Sequence, residues 1–262
     1  MTDFGGAAAS AQDLAALALT NYGHFTTLRV EGRRARGLML HWERLGRDAR
    51  VLFGADLDLD LVRRLVRERV ADVRGPVMVR VTVFDPELDV ARPLGAPGRI
   101  RGLRILASAR VAPPVAAPAL RVTPVEYVRV LPGVKHVGLF DAVRLRREAQ
   151  VAGFDDVLFT RSGDVAEGAT WNVGFFDGAE LIRPQAPALP GVTMALVERA
   201  CGPFRVRPVG VGDLPGMAAA FALNAAVGVR PIAAVGSVRF DPGHPVIDRL
   251  RAAYAQVPGE PV

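Results

Sequence analysis

The sequence predicts a protein of two mixed helix–strand domains, α+β in the first half and α/β in the second. Two observations lead to this prediction: strand-like and helix-like apolar patterns alternate along the chain, and a proline-rich stretch interrupts them. Val111–Pro118 carries three prolines in eight residues, which neither a helix nor a central strand can accommodate. We therefore expect an N-terminal domain over 1–111, a linker over 112–118 and a C-terminal domain over 119–262. An ordinary proline-rich loop is the alternative.

The N-terminal half is expected to form a small sheet and two helices. A strand over 25–30 is followed by a turn at Glu31-Gly32 and is expected to pair with a strand over 37–40. The remaining predicted elements are helices over 41–53 and 58–73 and strands over 76–84 and 103–111.

The C-terminal half is expected to contain both helices and strands. Asp177-Gly178 lies between two apolar runs and predicts a tight hairpin. The stretch 214–236 is the most membrane-like part of the chain, but polar residues and a proline interrupt it. We therefore expect a buried helix and then a buried strand there, and no membrane span. Predicted helices cover 138–152 and 192–200, and predicted strands cover 155–160, 172–176, 180–183, 204–209, 219–224 and 231–235.

The composition argues against several classes of function. The formal net charge is +6, but the arginines are scattered and tyrosine and tryptophan are sparse, so no nucleic-acid surface is expected. The four histidines and the single Cys201 show no zinc-binding spacing, so no metal site is expected. The N-terminus carries Asp3 and no basic stretch before its alanines, and we expect a cytoplasmic protein without a secretion signal.

Lys135 is the most informative residue of the chain. Of 33 basic residues, it alone is not arginine. A lysine amine can lose its proton in a suitable environment and join to an aldehyde, whereas a guanidinium stays protonated. The flexible, apolar segment around it, Leu131–Gly138, can bury the amine and lower its pKa. The alternative is a surface lysine that was spared while other lysines became arginine.

Two further segments supply what a pyridoxal phosphate cofactor needs. A carboxylate near the pyridine nitrogen strengthens the ring as an electron sink, and Glu167 is the candidate. The segment 189–194 opens a helix whose free N–H groups, with the Thr193 hydroxyl, suit a phosphate. Alternatively, Glu167 is a solvated turn residue and 191–193 is only a helix N-cap.

In their order and spacing these motifs resemble the class IV aminotransferase superfamily, the fold-type IV pyridoxal phosphate enzymes. This superfamily includes branched-chain and D-amino acid aminotransferases and aminodeoxychorismate lyases. The resemblance extends from Gly23 to about Val235. The motifs that carry it are Phe25-Thr-Thr-Leu-Arg-Val30, His41-Trp-Glu-Arg-Leu45, Lys135-His136, Glu167-Gly168 with Asn172, Leu189-Pro-Gly-Val-Thr193, and Asn224-Ala225 before Pro231.

The resemblance implies a fold, a homodimer and a set of site residues. The fold is an α+β N-terminal domain and an α/β pseudo-barrel, with pyridoxal 5'-phosphate between the domains. Lys135 would be the Schiff-base lysine and proton shuttle, and Glu167 the partner of the pyridine nitrogen. Arg80 would be either a carboxylate clamp or a paired strand arginine. The implied phosphate and cofactor contacts are Arg44, Val192, Thr193, Asn172, Asn224 and Ala225, and the candidate substrate contacts are Phe25, Thr27 and Arg80.

Four features depart from the family pattern. Phe140 stands where branched-chain enzymes typically have a tyrosine, which argues against that subgroup. Thr26 stands where many members have an acidic residue, and Met194 where an arginine is familiar. The approach to the first motif, Thr20–His24, also differs. The cofactor half therefore matches the family, while the substrate half is unusual.

Three functions follow from this pattern. The first is a transaminase that moves an amino group between an amino acid and a 2-oxo acid through a Schiff base on Lys135. The second is a lyase that splits 4-amino-4-deoxychorismate into 4-aminobenzoate and pyruvate, with Thr26 or Thr27 assisting proton movement. The third is a non-catalytic relative. We rank the transaminase slightly above the lyase, because Arg80 favours an amino-acid site whereas Thr26 and Asn224 favour the lyase.

Overall fold

The computed structural model describes residues 3–4, 7–8, 10–91, 93 and 102–262. The chain folds into two compact units. The first comprises Met1–Ala112, Val134–Gly138 and Gly259–Val262, and the second comprises Pro113–Gly133 and Leu139–Pro258. The segment that carries Lys135 thus groups with the first unit, whereas we expected the lysine in the C-terminal domain.

The first unit is an antiparallel sheet with helices. In chain order it contains β1 (Asp3–Phe4), β2 (Ala7–Ala8), α1 (Ala11–Thr20), β3 (His24–Glu31), β4 (Arg34–Arg36), α2 (Leu38–Phe53), α3 (Leu59–Val70), β5 (Val77–Phe84) and β6 (Arg104–Val111). The last strand of the chain, β16 (Gly259–Pro261), returns to this unit and pairs with β4. The strand order is β16-β4-β3-β5-β6-β1-β2.

The two faces of this sheet differ because side chains alternate along each strand. On β5, Val77, Val79, Val81 and Val83 are buried together with residues of α2 and α3 such as Trp42. The intervening residues of β5 include Arg80 and Thr82, and they lie on the opposite face. One face therefore forms the hydrophobic core, and the other carries polar groups.

The C-terminal strand supports the start of α2. Gly37 precedes this helix with a φ of 66°, and no side chain of the neighbouring sequence caps it. Instead, the backbone N–H of Leu38 donates to Glu260 Oε1 at 2.8 Å. This hydrogen bond satisfies one of the orphan donors at the start of the helix.

The second unit contains a barrel-like sheet. In chain order its elements are β7 (Leu120–Glu126), α4 (Phe140–Val151), β8 (Asp156–Arg161), β9 (Asp164–Gly168), β10 (Asn172–Phe176), β11 (Leu181–Pro184), α5 (Val192–Cys201), β12 (Arg205–Arg207), a 3₁₀ turn (Val211–Gly216), β13 (Ala219–Asn224), β14 (Gly228–Val235), β15 (Val238–Arg239) and α6 (Pro245–Gln256). Strands β10, β13, β14, β7, β8 and β9 pair in that order, and β9 pairs with β10 again, which closes the ring.

The interior of the second unit is apolar. Buried residues of several strands pack there, among them Val122, Leu158, Phe175 and Ile232. The parallel pairs β14–β7 and β7–β8 are joined through longer connections, whereas β10 and β11 form the predicted hairpin at Asp177-Gly178. The predicted fold class, an α+β unit and an α/β unit with a pseudo-barrel, is confirmed.

Two predicted elements are wrong. The partner of β3 is Arg34–Arg36 and not 37–40, because Gly32 and Arg33 both have positive φ and form the two-residue turn. The buried helix expected within 214–236 is absent from this part of the chain, which instead forms the end of the 3₁₀ turn and strands β13 and β14. Continuous burial on both faces of β13 gives it an apolar run that resembles a helix.

Strand β7 and helix α6 are among the elements that sequence reasoning missed. Pro124 lies inside β7 and argues against a central strand, yet this strand pairs with β8 and β14. Helix α6 begins at Pro245, which is favoured at a first helical position, and buries Val246, Ile247 and Leu250. No helix in the described parts of the chain is long and apolar enough to cross a membrane.

Candidate functional site

The segment of Lys135 is hydrogen-bonded to the first strand of the core sheet. The N–H of Phe25 donates to the carbonyl oxygen of Lys135 at 2.9 Å, and the N–H of Val137 donates to Gly23 O at 2.9 Å. The N–H of Lys135 donates to Asp48 Oδ2 at 3.0 Å, and Asp48 is fully buried on α2. Lys135 is half-buried, so the alternative of a freely solvated surface lysine does not describe it.

The amine of Lys135 lies close to an aromatic ring and a guanidinium. Its Nζ is 4.9 Å from the centroid of the Phe25 ring, and Cζ of Arg80 is 3.7 Å from the same centroid. Thr27 is the cross-strand partner of Arg80, so its side chain lies on the face that carries Phe25 and Arg80. The structure thus brings together the three candidate substrate contacts and the lysine.

Arg80 contacts a phenylalanine ring and a threonine hydroxyl. Its Nε donates to Thr82 Oγ1 at 3.3 Å, and within the described residues no carboxylate forms an ion pair with it. Burial lowers the pKa of Arg80 from its usual value, and the nearby charge of Arg110 lowers it further. A guanidinium without a carboxylate partner on this face can bind the carboxylate of a ligand.

Arg44 occupies the opposite, helix-covered side of the sheet. Its Nη2 donates to Thr26 Oγ1, whose oxygen lies 2.7 Å from His41 Nδ1. Burial is the main cause that lowers the pKa of Arg44 to about 10, against the opposing charge of Asp48. Arg44 therefore remains charged at neutral pH, and its buried Nε has no hydrogen-bond partner in the described structure.

Glu167 lies in the second unit and is buried there. Its Oε1 accepts from Arg129 Nε at 2.9 Å, and its Oε2 accepts from the N–H of Leu189 at 3.2 Å. Arg129 is also buried and donates through Nη2 to Pro132 O at 2.8 Å. Glu167 is therefore not a solvated turn residue but a carboxylate held by a buried arginine.

Asn172 connects Glu167 to the start of α5. It is the cross-strand partner of Glu167, and its Nδ2 donates to Leu189 O at 2.8 Å. A Cβ atom on Gly191 would lie 1.8 Å from Asn172 Oδ1, so any other residue would force the Asn172 side chain to move where the chain enters α5. Asn172 thus fixes the loop that precedes the helix.

The N-terminus of α5 is available to an anion. The helix begins at Val192, its N-cap is Gly191, and no side chain caps it. Val192 and Thr193 are both buried. The first N–H groups of a helix carry partial positive charge and lack partners within the helix. This arrangement suits a phosphate.

The turn at Asn224-Ala225 connects β13 to β14. Asn224 Oδ1 accepts from the N–H groups of Ala226 at 3.0 Å and of Val227 at 3.1 Å. The side-chain oxygen of Asn224 therefore shapes its own turn. Asn172 is paired with Leu223, which places this turn beside the start of β10.

Sequence reasoning missed two residues that hold the candidate site and gave a third, Thr26, a different role. Asp48 and Arg129 bind Lys135 and Glu167, and Thr26 binds Arg44 rather than facing the lysine side of the sheet. A buried carboxylate requires a cationic or hydrogen-bonding partner, but no spacing rule connects residues that lie 38 or 87 positions apart. In the described ranges no group of three or more His, Cys, Asp or Glu residues could hold a metal ion.

Each unit by itself carries groups that suit one part of a phosphorylated pyridine aldehyde. The first unit supplies the chain's one lysine amine and a buried guanidinium with an unpartnered Nε. The second unit supplies a buried carboxylate and an uncapped helix N-terminus beside a glycine that cannot be replaced without a clash. The residues present therefore fit pyridoxal phosphate.

Comparison with known families gives one match over most of the chain. The family model described as amino-transferase class IV matches residues 23–235. A search of curated proteins gives no match.

Solved structures share the fold at low sequence identity. A candidate 4-amino-4-deoxychorismate lyase from Legionella pneumophila is 22% identical, with a TM-score of 0.78 over 90% of this chain and 91% of its own. A branched-chain aminotransferase from Thermoproteus uzoniensis with norvaline is 18% identical, with a TM-score of 0.84 over 97% and 93%. A hypothetical aminotransferase from Mycobacterium tuberculosis, with alpha-ketoglutarate and PMP bound, is 20% identical, with a TM-score of 0.79 over 94% and 92%.

We expect the folded protein to lose stability in weak acid because of His24, whose backbone pairs with His136 next to Lys135. Burial lowers the pKa of His24 from 6.5 to about 4, so the ring is neutral in the folded state while the unfolded chain takes up a proton below pH 6.5. The difference in protonation favours the folded state fully above pH 6.5, and this contribution to the free energy of unfolding is lost as the pH falls toward 4. At pH 5 the loss is about 2 kcal/mol.

Urea unfolding of wild type and His24→Phe at pH 8 and pH 5 measures this effect. The comparison at pH 8 gives the packing cost of the substitution alone. Between the two pH values the variant is expected to lose about 2 kcal/mol less free energy of unfolding than wild type. Equal losses in the two proteins would contradict the assignment.

Proposed function

We propose that this chain, which belongs to the class IV aminotransferase family, is a transaminase that moves an amino group between an amino acid and a 2-oxo acid. As a member of this family it is a pyridoxal-phosphate-dependent enzyme. The observation that carries the proposal is the position of Lys135: its amine lies 4.9 Å from the ring centroid of Phe25, which Arg80 also contacts. An amino-acid substrate requires a guanidinium that binds its carboxylate and, on the same surface, an amine that can act at the neighbouring carbon.

Lys135 is proposed to hold the cofactor and to move the proton. When bound, pyridoxal phosphate supplies an aldehyde that joins to an amine and a ring that withdraws electrons. Lys135 carries the chain's one ε-amine, and its backbone is fixed through Asp48 and Phe25. A fixed backbone with a flexible four-carbon side chain lets the amine take a proton from one substrate carbon and return it to a neighbouring position.

Glu167 and Arg44 are proposed to hold the two ends of the cofactor. Glu167 would bind the protonated pyridine nitrogen, and Arg129 supports this because a buried arginine favours the charged form of a carboxylate. Arg44 would bind the phosphate together with Val192 and Thr193, since a buried guanidinium and an uncapped helix N-terminus both favour an anion. Asn172 holds the loop before that helix, and Asn224 and Ala225 would approach the phosphate or the substrate.

Lyase activity is the second candidate, and one observation favours it. Thr27 lies on the same face as Phe25 and Arg80. Of the two candidate threonines, it is therefore the one whose hydroxyl could assist proton movement beside the lysine. Thr26 is hydrogen-bonded to Arg44 and His41 instead. A protein of similar fold from Legionella pneumophila is a candidate 4-amino-4-deoxychorismate lyase. The substrate would then be that amino-chorismate.

We further propose that two copies of the chain form a homodimer. Helix α4 exposes 75% of Phe140 and 62% of Val143, and the loop before it exposes 76% of Val130. Phe140 and Val143 lie three positions apart and so share one face of the helix. Exposed large apolar side chains are typical of a protein interface, and a second copy of the same chain is the commonest partner.

Replacing Lys135 is expected to abolish covalent attachment of the cofactor. Borohydride treatment of the yellow wild-type protein, followed by peptide mass mapping, should place the modification on Lys135. Lys135→Ala should remain unlabelled, with activity lower on the order of 10³-fold. Lys135→Arg combined with Arg121→Lys is the control, because it keeps one ε-amine but moves it to the surface. Labelling of this control would contradict a special role for the site.

Arg80 is expected to control the affinity for the substrate carboxylate. Arg80→Gln should raise the KM for amino acids and 2-oxo acids roughly 10- to 100-fold, the effect of losing a charge-assisted contact, with little change in cofactor affinity. Arg121→Gln is the matched control, since Arg121 also lies over a phenylalanine ring, Phe154, but in the second unit. The same assays with aminodeoxychorismate separate the two activities: release of 4-aminobenzoate, without conversion of any L- or D-amino acid, would replace the transaminase by the lyase.

Light scattering is expected to give twice the 28.0 kDa mass of one chain. Phe140→Asp combined with Val143→Asp should shift the mass to that of a single chain, because two buried carboxylates oppose association. Val90→Asp serves as the control, because Val90 is also exposed but lies in the first unit. A single-chain mass for wild type would contradict the dimer.

A further inference from the structure

Three buried side chains of the first unit form a connected polar cluster. Thr26 lies on β3, and His41 and Arg44 lie one turn apart on α2. All three are almost completely buried, with 0%, 1% and 6% of their surface exposed. Thr26 points toward α2 because it alternates with Phe25 and Thr27 and shares its face with Leu28 and Val30 of the core. The cluster is therefore built into the core and is not a surface contact.

The positions of the hydrogens in this cluster follow from the donors. Arg44 Nη2 can only donate, so Thr26 Oγ1 accepts from it. The single hydroxyl hydrogen of Thr26 is then directed to His41 Nδ1, 2.7 Å away. Nδ1 must accept, which leaves His41 neutral. Burial, followed by the charges of Arg44 and Lys135, lowers the pKa of His41 well below 6.5, in agreement with this state.

Thr26 and the neutral His41 contact Arg44 without cancelling its charge. Arg44 lies near Asp48, but Asp48 accepts hydrogen bonds from Arg47 at 2.7 Å and from the N–H of Lys135 at 3.0 Å. Asp48 is thus hydrogen-bonded to groups other than Arg44, and its charge acts on Arg44 only from a distance. Among the described residues, Arg44 Nε is a buried donor with no acceptor. A buried charge with an unused donor is costly unless an anion completes the arrangement.

We propose that Thr26 and His41 are positioning residues that fix the Arg44 guanidinium through Nη2 and so direct its remaining donors to the phosphate of the cofactor. This inference rests on the proposed function, because it takes the anion to be the cofactor phosphate. Thr26 contributes an acceptor without a negative charge, so it orients Arg44 without neutralising it. His41 holds the hydroxyl of Thr26 in the orientation that accepts from Arg44.

The test compares cofactors with and without a phosphate. Thr26→Val keeps the shape of the side chain and removes the hydroxyl, whereas Thr26→Ser retains it. Thr26→Val is expected to weaken pyridoxal phosphate binding about tenfold and to change pyridoxal binding less than twofold, since only the former meets Arg44. Thr26→Ser should restore phosphate-dependent binding to within about threefold of wild type. The dissociation constants come from titration of the yellow absorbance band.

Controls separate positioning from a general loss of structure. Thr160→Val removes another buried threonine hydroxyl, which donates to Glu126 in the second unit, and should leave the ratio of the two dissociation constants unchanged. His41→Leu removes the acceptor of the Thr26 hydroxyl and should reproduce the Thr26→Val ratio, so the test survives if one variant fails to fold. An equal loss of affinity for both cofactors, or no loss for either, would overturn the inference.

Failure of the proposed function gives a different result. If wild type binds neither cofactor, the transaminase is excluded, and inorganic phosphate then probes the Arg44 cluster directly. A rise in the unfolding temperature of wild type with added phosphate, absent in Thr26→Val and present in Thr160→Val, would support the cluster as an anion site. No difference between the variants would contradict the assignment of the Arg44 cluster as an anion site.

Discussion

The backbone pairing of 134–138 with the start of β3 is the constraint on which the rest of the site depends. Two backbone hydrogen bonds, with Phe25 and Gly23, hold this segment against the strand, and Asp48 binds the N–H of Lys135. Because these bonds fix the backbone, the direction in which the lysine side chain leaves the segment is also fixed. Phe25 contacts both the backbone and the side chain of Lys135, since its N–H donates to the carbonyl oxygen of Lys135 and its ring lies near the amine. A lysine on an unpaired loop would have no defined position relative to Arg80.

The two faces of the core sheet divide the chemistry of the first unit. The alternation of β3 sends Phe25 and Thr27 to one face and Thr26 to the other. On the first face Arg80 is available to a carboxylate, and on the second Arg44 is held by a hydroxyl. Three consecutive positions of one strand thus contribute to the proposed substrate-binding surface and support Arg44, the proposed phosphate-binding residue, from the other face. A slip of one residue in the register would exchange these roles.

Much of this arrangement is predictable from sequence, and the part that is not has a common physical cause. Alternation of β5 and the turn residues Asp177-Gly178 identify elements because the signal is local. Lys135 is conspicuous because no other lysine competes with it. Arg129 gives no such signal, because one arginine among many becomes significant only when the fold brings it to Glu167. The assignment of Lys135 to the second domain was likewise inferred from position in the chain, whereas hydrogen bonds to β3 group its segment with the first unit.

Thr26 shows how a departure from a family pattern can carry physical meaning. An acidic residue at this position would form an ion pair with Arg44 and cancel much of its charge, leaving less attraction for a phosphate. A threonine hydroxyl accepts the same hydrogen bond while remaining neutral. Its own hydrogen then needs an acceptor, and in a buried site that acceptor must come from the protein; His41 provides it by staying unprotonated at Nδ1. A threonine at position 26 therefore depends on both neighbours, because Arg44 donates to its hydroxyl and His41 accepts from it. Thr26 leaves the positive charge of Arg44 uncancelled, and an anionic cofactor would use that charge.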